Sequence, residues 1–404
     1  MNKKPDGKGN FNLEKDLPEI REEFPVLKEC TYLISNSLGA VPKDTCVELS
    51  KYYLMWTQEG VSAWEKEWWD LSGEVGNQVA EILGAGNDEV TMMPHATQCH
   101  WVALSTQFRN PDKERRKIVM TDHDFPSILY AVSRISEFIG WEVDLVKSEG
   151  KAGIPVEKIR ERIDEKTLMV ATSHVYFKSA YIQDISRISQ KAREMGALTL
   201  IDGYHAPGTV PVNVKDLGID FYVGGCLKWL CGGPGNAFLY VRPQLASSLE
   251  PYLTGWVAHE EPFSFKLSMD YANGSYKFMS GTPPVPSLYT AKAGLGIIRE
   301  VGISQIRKKS LRQTEMIIKA AKNRGFQLFS PEKERFRGGA VSLGLPEASK
   351  VYQGLERKQI KVDFRPGKDK DPDVLRIAPH FYTTDEEIEY LFKEIDTIYR
   401  SSEF

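Results

Sequence analysis

Cysteine is scarce in this sequence: five residues, at positions 30, 46, 99, 226 and 231 of 404. So few thiols, so widely spread, exclude the disulfide framework of a small secreted scaffold. There is no Cys-x-x-Cys and no His-Glu-x-x-His, so no metal is expected. No apolar run approaches the ~20 residues of a membrane-spanning helix. The opening Met1-Asn2-Lys3-Lys4-Pro5-Asp6-Gly7 lacks the apolar stretch of a secretory signal. No membrane partner is expected, and a reducing cytoplasmic setting is. An excess of one charge is also missing: 52 Lys and Arg face 55 Asp and Glu, for a net charge of −3. Without a basic stripe, nucleic acid is not the expected partner.

What remains is an ordinary globular composition, 41% hydrophobic and 26% charged, in a chain long enough for two domains. Residues 1–25 are polar and read as an arm, within an N-terminal segment (1–50) expected to pack with the smaller domain. Helical patterns run from Pro42, at a first helical position, to about Thr57, and from about Ala63 to Leu83. The second ends at the cap and turn Gly84-Ala85-Gly86-Asn87. From residue 90 to 245 the pattern alternates. Lys117–Met120, Glu142–Val146, Leu168–Ala171, Leu198–Ile201 and Phe221–Val223 read as short buried strands, with helices such as Pro126–Phe138 and Ile185–Met195 between most of them. This alternation predicts an α/β large domain (51–285) with a mostly parallel central sheet.

The character changes after residue 286. Two helical patterns, about 286–300 and 303–324, precede strand-like Gly339–Leu343, Lys361–Phe364 and Val374–Ile377 and a closing helix from Thr384. This predicts a smaller α+β C-terminal domain (286–404). Gly294-Leu295-Gly296 lacks the third glycine of a dinucleotide fingerprint and follows a helical stretch, so that reading is rejected.

The chemistry concentrates on Lys228, in Phe221-Tyr222-Val223-Gly224-Gly225-Cys226-Leu227-Lys228-Trp229-Leu230. An isolated lysine is ordinarily a solvated surface charge. This one ends an apolar strand, where its amine pKa falls as an imine-forming amine requires. One strand earlier stands Asp202, whose carboxylate needs a partner if buried. A lysine that forms an imine and an aspartate that holds a pyridine nitrogen protonated are the two demands of pyridoxal phosphate (PLP).

In open α/β sheets ligands sit beyond the carboxyl ends of the strands, and further candidates fall there. Ala96, Thr97 and Gln98 open a helix whose amides suit a phosphate; the plain alternative is that Thr97 only caps the helix. Phe125 either stacks on the pyridine ring or is a core aromatic. His174 and His205 either touch ligand or are satisfied buried histidines. Trp256 and His259 share a Gly-centred loop, and Thr282 lies in the rigid turn Gly281-Thr282-Pro283-Pro284. Arg376 offers a planar fork to an α-carboxylate, against the alternative of a surface charge.

Together these residues resemble fold-type I PLP-dependent transferases of the class V aminotransferase superfamily, and within it the kynureninases, from about Tyr32 to the C-terminus. Asn36-Ser37-Leu38-Gly39 is similar to a segment that lies near substrate, which implies Asn36 and Ser37 as substrate-binding. Asp124-Phe125-Pro126-Ser127 is similar to an Asn-Phe-Pro-Thr segment, implying that Phe125 and Ser127 bind cofactor. Ser173-His174-Val175 with Gln183-Asp184 resembles a further stretch of the cofactor site, which adds Ser173. Asp202-Gly203-Tyr204-His205-Ala206-Pro207-Gly208 matches Asp-x-x-His-x-x-Gly, giving Asp202, His205 and Lys228 both catalytic and cofactor-binding roles. Trp256 and Thr282 resemble residues that reach the neighbouring subunit's phosphate, implying a homodimer with shared active sites. Tyr204, His259 and Arg376 are implied at the substrate. The sequence departs from the pattern at Leu227, where kynureninases carry a tyrosine, and at Tyr176-Phe177-Lys178-Ser179-Ala180, where they carry Asn-Tyr-Arg-Thr-Gly.

The resemblance implies a PLP-dependent lyase acting on a small-molecule L-amino acid: Cβ–Cγ hydrolytic cleavage of L-kynurenine or 3-hydroxykynurenine to alanine and an anthranilate. The alternative is another class V reaction, namely transamination, epimerisation or C–S cleavage. A desulfurase needs a nucleophilic cysteine near the small domain, and no cysteine lies beyond residue 231. A non-catalytic binding protein is the third reading, which the intact Asp202 and Lys228 pair argues against.

Overall fold

The computed structural model describes residues 12–401, apart from 111, 151 and 368–371. Seven strands form the central sheet, in the order Val90–Met93, Ala237–Val241, Phe221–Gly225, Leu198–Asp202, Thr167–Ser173, Lys117–Thr121, Glu142–Val146. The five strands from Phe221–Gly225 to Glu142–Val146 are mutually parallel. All residues of Thr167–Ser173 and Phe221–Gly225 are buried, as expected of parallel strands covered on both faces. Their side chains alternate between layers: Phe221 and Val223 join Leu200 on one face, Tyr222 joins Ile201 on the other.

Several strands are absent from the sequence reading, Ala237–Val241 among them. Ala237–Val241 pairs antiparallel with both Phe221–Gly225 and Val90–Met93. Its five residues are all apolar and buried, and a short apolar run carries no period of its own. It returns the chain beside Phe221–Gly225, so the Lys228 turn is gripped between two adjacent strands.

Three helix boundaries are corrected. The first long helix is Asp44–Glu59, so Pro42 lies ahead of its first turn and gives its carbonyl to the Thr45 amide. The predicted helix from Ala63 to Leu83 is interrupted: Trp64–Trp68 is wider, with the Trp69 amide bonding back to Trp64, and Leu71–Leu83 follows. Trp64 and Trp68 meet edge to face, and Trp68 stacks on Tyr52; seating these large rings accounts for the local bulge. The polar arm is helical over Leu13–Arg21, because Asn12 caps it and Leu13 and Ile20 are buried; residues 1–11 of that arm lie outside the described residues.

Beyond the helices Val285–Val301 and Ile303–Asn323, Asp363–Arg365, Val374–Ile377, Val341–Gly344 and Gln327–Leu328 form an antiparallel sheet in that order. The strand expected over Lys361–Phe364 is split at buried Val362, since Ile360–Lys361 pairs with Thr31–Tyr32 instead. The N-terminal segment is therefore sewn to the C-terminal one. Ile34 bridges Ala378, and the Tyr382 hydroxyl meets Ser35 Oγ at 2.7 Å and accepts the Ala40 amide at 3.2 Å. Thr384 caps the closing helix Asp385–Arg400 in a reciprocal box with Glu387. Among the described residues no helix is long and apolar enough to cross a membrane.

Candidate active site

Lys228 sits in the turn after Phe221–Gly225, and its amine is the meeting point of three strand ends. Its Nζ lies 2.6 Å from His205 Nε2, 4.8 Å from the Tyr204 ring centroid and 5.7 Å from that of Phe125. Burial pushes the amine down to about 7; Asp202 opposes the shift, and the nearby Arg376 and Arg365 add to it. His205 is buried, and that burial, with Lys228 beside it, holds its imidazole well below the usual range. The pair is thus a neutral imidazole against an amine that loses its proton near pH 7.

Tyr204 reaches the amine because residue 225 is glycine. A Cβ at Gly225 would stand 2.5 Å from the Tyr204 ring. A second glycine fixes the turn from the other side: a Cβ at Gly39 would stand 2.0 Å from the Lys228 carbonyl oxygen, and the Gly39 amide donates to Leu227 O at 3.0 Å. The Asn36-to-Gly39 stretch is thereby pressed onto the lysine turn.

Asp202 is buried at the end of Leu198–Asp202. Its Oδ1 accepts the Tyr204 amide at 2.9 Å, while Oδ2 stands 3.9 Å from His100 Nε2. Phe125 is not a core aromatic: it is 40% exposed, held edge-on by Phe177 at 5.1 Å. Its turn is tied down by Asp124, a residue the sequence reading passed over. Asp124 accepts from the Thr121 amide and hydroxyl, the Thr172 hydroxyl and the Ser173 amide, at 2.6–3.1 Å. It clamps the Phe125 turn to the strand end bearing Ser173, and burial raises its carboxyl to about 6. Ser127 lies in the first turn of the helix Pro126–Ile139.

The helix Ala96–Ser105 is capped by His95, whose Nδ1 accepts the Gln98 amide at 3.1 Å; Thr97 is inside the helix and is not its cap. The leading amides of Ala96 and Thr97 have no carbonyl of the helix behind them. Gln98 Nε2 donates to Ser280 Oγ at 2.5 Å, tying this helix to the loop bearing Thr282. Thr282 and Trp256 stand on the surface, Trp256 against Trp69 and Phe263. None of their ring contacts or hydrogen bonds touches Lys228, Asp202 or Phe125.

On the side sewn to the C-terminal segment, Asn36 is 1% exposed, and neither its Oδ1 nor its Nδ2 has a partner. Ser37 turns the chain there, its amide on Ile34 O. The Arg376 fork is already engaged, Nη1 by Phe177 O and Nη2 by Asp363, while its buried Nε has no partner. Burial pushes the guanidinium down to about 10. His259 is also buried; its Nδ1 accepts the Glu261 amide at 2.8 Å, and Nε2 is unpartnered. His174 is the satisfied histidine of the earlier alternatives, with Nδ1 3.0 Å from the Tyr222 hydroxyl.

These residues fit pyridoxal phosphate on three observations: a depressed lysine amine, an aspartate buried at the end of the neighbouring strand, and an open aromatic face beside the amine. Lys228 would carry the aldehyde carbon, Asp202 the ring nitrogen and Phe125 the ring face, with the Ala96 and Thr97 amides toward the phosphate. Asn36 and Arg376 Nε are left unsatisfied in one wall.

Comparison with known proteins agrees with this geometry. The family profile described as aminotransferase class-V matches residues 31–391. Kynureninase of Pseudomonas fluorescens is 30% identical over 391 residues, covering 94% of this chain and 91% of that protein. An uncharacterized aminotransferase, YcbU, of Bacillus subtilis is 31% identical over 380 residues, covering 94% and 97%. The apo structure of a cysteine desulfurase from Thermococcus onnurineus superposes with a TM-score of 0.85 at 21% identity, covering 97% of this chain and all of that one (100%); it shares the fold.

Proposed function

This chain belongs to the aminotransferase class-V family and is a PLP-dependent enzyme, and from that premise we propose that it hydrolyses the Cβ–Cγ bond of L-kynurenine or 3-hydroxykynurenine, releasing alanine and an anthranilate. The observation that carries the reading is the Lys228 amine held 2.6 Å from His205 and flanked by the Tyr204 and Phe125 rings, in a chain 30% identical to a kynureninase over 94% of its length.

When bound, the cofactor supplies an electron sink for the charge left at the substrate's Cα. Lys228, with its amine at about 7, removes the Cα proton near neutral pH. His205 Nε2 holds that amine in line. Arg376 Nε and the Asn36 amide, both buried without partners, receive the substrate's α-carboxylate. Hydrolysis then adds one water to the γ-carbonyl: its oxygen goes to the anthranilate carboxyl, and Cβ gains a proton as the bond breaks. Leu227 cannot supply that proton. The Tyr204 phenol, on a ring 4.8 Å from Nζ, takes the role. Exposed Trp256 and Thr282 complete the phosphate site of a second copy, so the working unit is a homodimer.

A transaminase is the second reading, favoured by Leu227 and by the 31% identity to an uncharacterized aminotransferase. Desulfuration is disfavoured chemically: burial raises the thiols of Cys30, Cys99, Cys226 and Cys231, Cys226 to about 12, and the exposed Cys46 lies on the helix Asp44–Glu59 and not on a loop.

The test is anthranilate fluorescence after L-kynurenine or 3-hydroxykynurenine is added to cofactor-loaded protein, with Lys228→Ala as control. Release by the unsubstituted protein alone is expected. No release from loaded protein overturns the lyase reading, and formation of pyridoxamine phosphate that 2-oxo acids reverse would establish the transaminase.

A further inference from the structure

Asp202 has a neighbour that neither its sequence motif nor the proposed reaction uses. His100 lies on the helix Ala96–Ser105, one turn after the amides set toward the phosphate. It is 0% exposed, and neither ring nitrogen has a hydrogen-bond partner. Its Nε2 stands 3.9 Å from Asp202 Oδ2, the oxygen that Tyr204 leaves free. A buried polar ring with both nitrogens unpaired is costly, whereas leucine or phenylalanine would fill the space without that cost.

We propose that His100 is a positioning residue for the cofactor's ring nitrogen: its Nε2–H donates to Asp202 Oδ2 and fixes the carboxylate against the protonated pyridine. Asp202 then receives the Tyr204 amide on one oxygen and, once the 3.9 Å gap closes around the bound cofactor, the His100 ring on the other. The orientation matters because the nitrogen stays protonated only while the carboxylate faces it. Burial lowers the pKa of His100, which suits the task. A neutral ring donates one N–H; a cationic one would compete with the pyridine nitrogen for the same charge. The inference rests on the cofactor and not on the identity of the substrate.

The test compares PLP with its 1-deaza analogue, in which C–H replaces the ring nitrogen, by equilibrium titration of cofactor-free protein. His100→Leu should weaken PLP binding about tenfold, the effect of losing one hydrogen bond to a charged group, and leave the analogue's affinity unchanged. His100→Gln, which retains an N–H donor, should recover most of the PLP affinity. Equal weakening toward both compounds, or none toward PLP, overturns the proposal. If His100→Leu does not fold, histidine-selective 15N NMR of the unsubstituted, PLP-loaded protein decides: a neutral ring protonated on Nε2 is expected, and protonation on Nδ1 alone or on both nitrogens overturns it. Failure of the unsubstituted protein to bind PLP would count against the cofactor itself and is distinct from these outcomes.

Discussion

The Lys228 amine and His205 Nε2 stand 2.6 Å apart, inside a site where burial lowers the pKa of both. A lysine lowered from 10.5 to about 7 is a free amine above that pH and an ammonium below it. The rate at which cofactor-free protein captures PLP, followed by its visible absorbance, should rise as pH increases through about 7 and level off above it. A rate still climbing at pH 9 would mean an unperturbed lysine.

Phe125 separates cofactor binding from folding. Being 40% exposed, its side chain adds little to the core. Phe125→Ala should change unfolding free energy by less than about 1 kcal/mol while weakening PLP binding about tenfold through lost stacking. Calorimetry and cofactor titration on the same sample check both halves.

Tyr204→Phe removes a hydroxyl and leaves the ring beside Lys228. If the phenol protonates Cβ, turnover of L-kynurenine should fall about 100-fold with the absorbance of bound PLP unchanged. Retained turnover would assign the proton to water.

Asn36 carries two buried polar atoms without partners, a burden in the empty protein and an asset with substrate bound. Asn36→Leu should raise the melting temperature of the substrate-free protein and raise KM at least about tenfold. A lower melting temperature would show that the amide serves the fold.

Asp124→Ala leaves the Thr121 and Ser173 amides buried without an acceptor. The loss expected is about 3 kcal/mol, read by denaturant unfolding, and PLP affinity should fall with it because the Phe125 turn is released.

The parallel strands were legible because each is short, apolar and bounded by turns, and Gly84 and Thr384 mark helix ends through local chemistry alone. Lys228, Asp202, Phe125, Tyr204 and His205 were legible because strand ends converge in any such sheet. What escaped depends on distant partners. His95 displaces Thr97 as a cap because its ring folds back onto Gln98. The split at Val362 exists because residues 31–32 claim residues 360–361. Asp124 and His100 act across strands and helices, where no spacing rule reaches. Arg376 was legible as a fork, but Asp363, thirteen residues earlier, occupies part of it.

The stitching of Ile34, Ser35 and Ala40 to Ala378 and Tyr382 has a consequence in time. The wall that holds Asn36 is assembled from the first and last tenths of the chain. At 5–20 residues per second on the ribosome, residues near 378 follow those near 34 by roughly 20–70 s. For the part of that interval after Lys228 is made, the nascent polypeptide has its lysine turn but no finished substrate wall. The wall is complete only once Tyr382 is made, so a message truncated before Tyr382 yields a product in which Ser35 and Ala40 lose the hydroxyl that holds them.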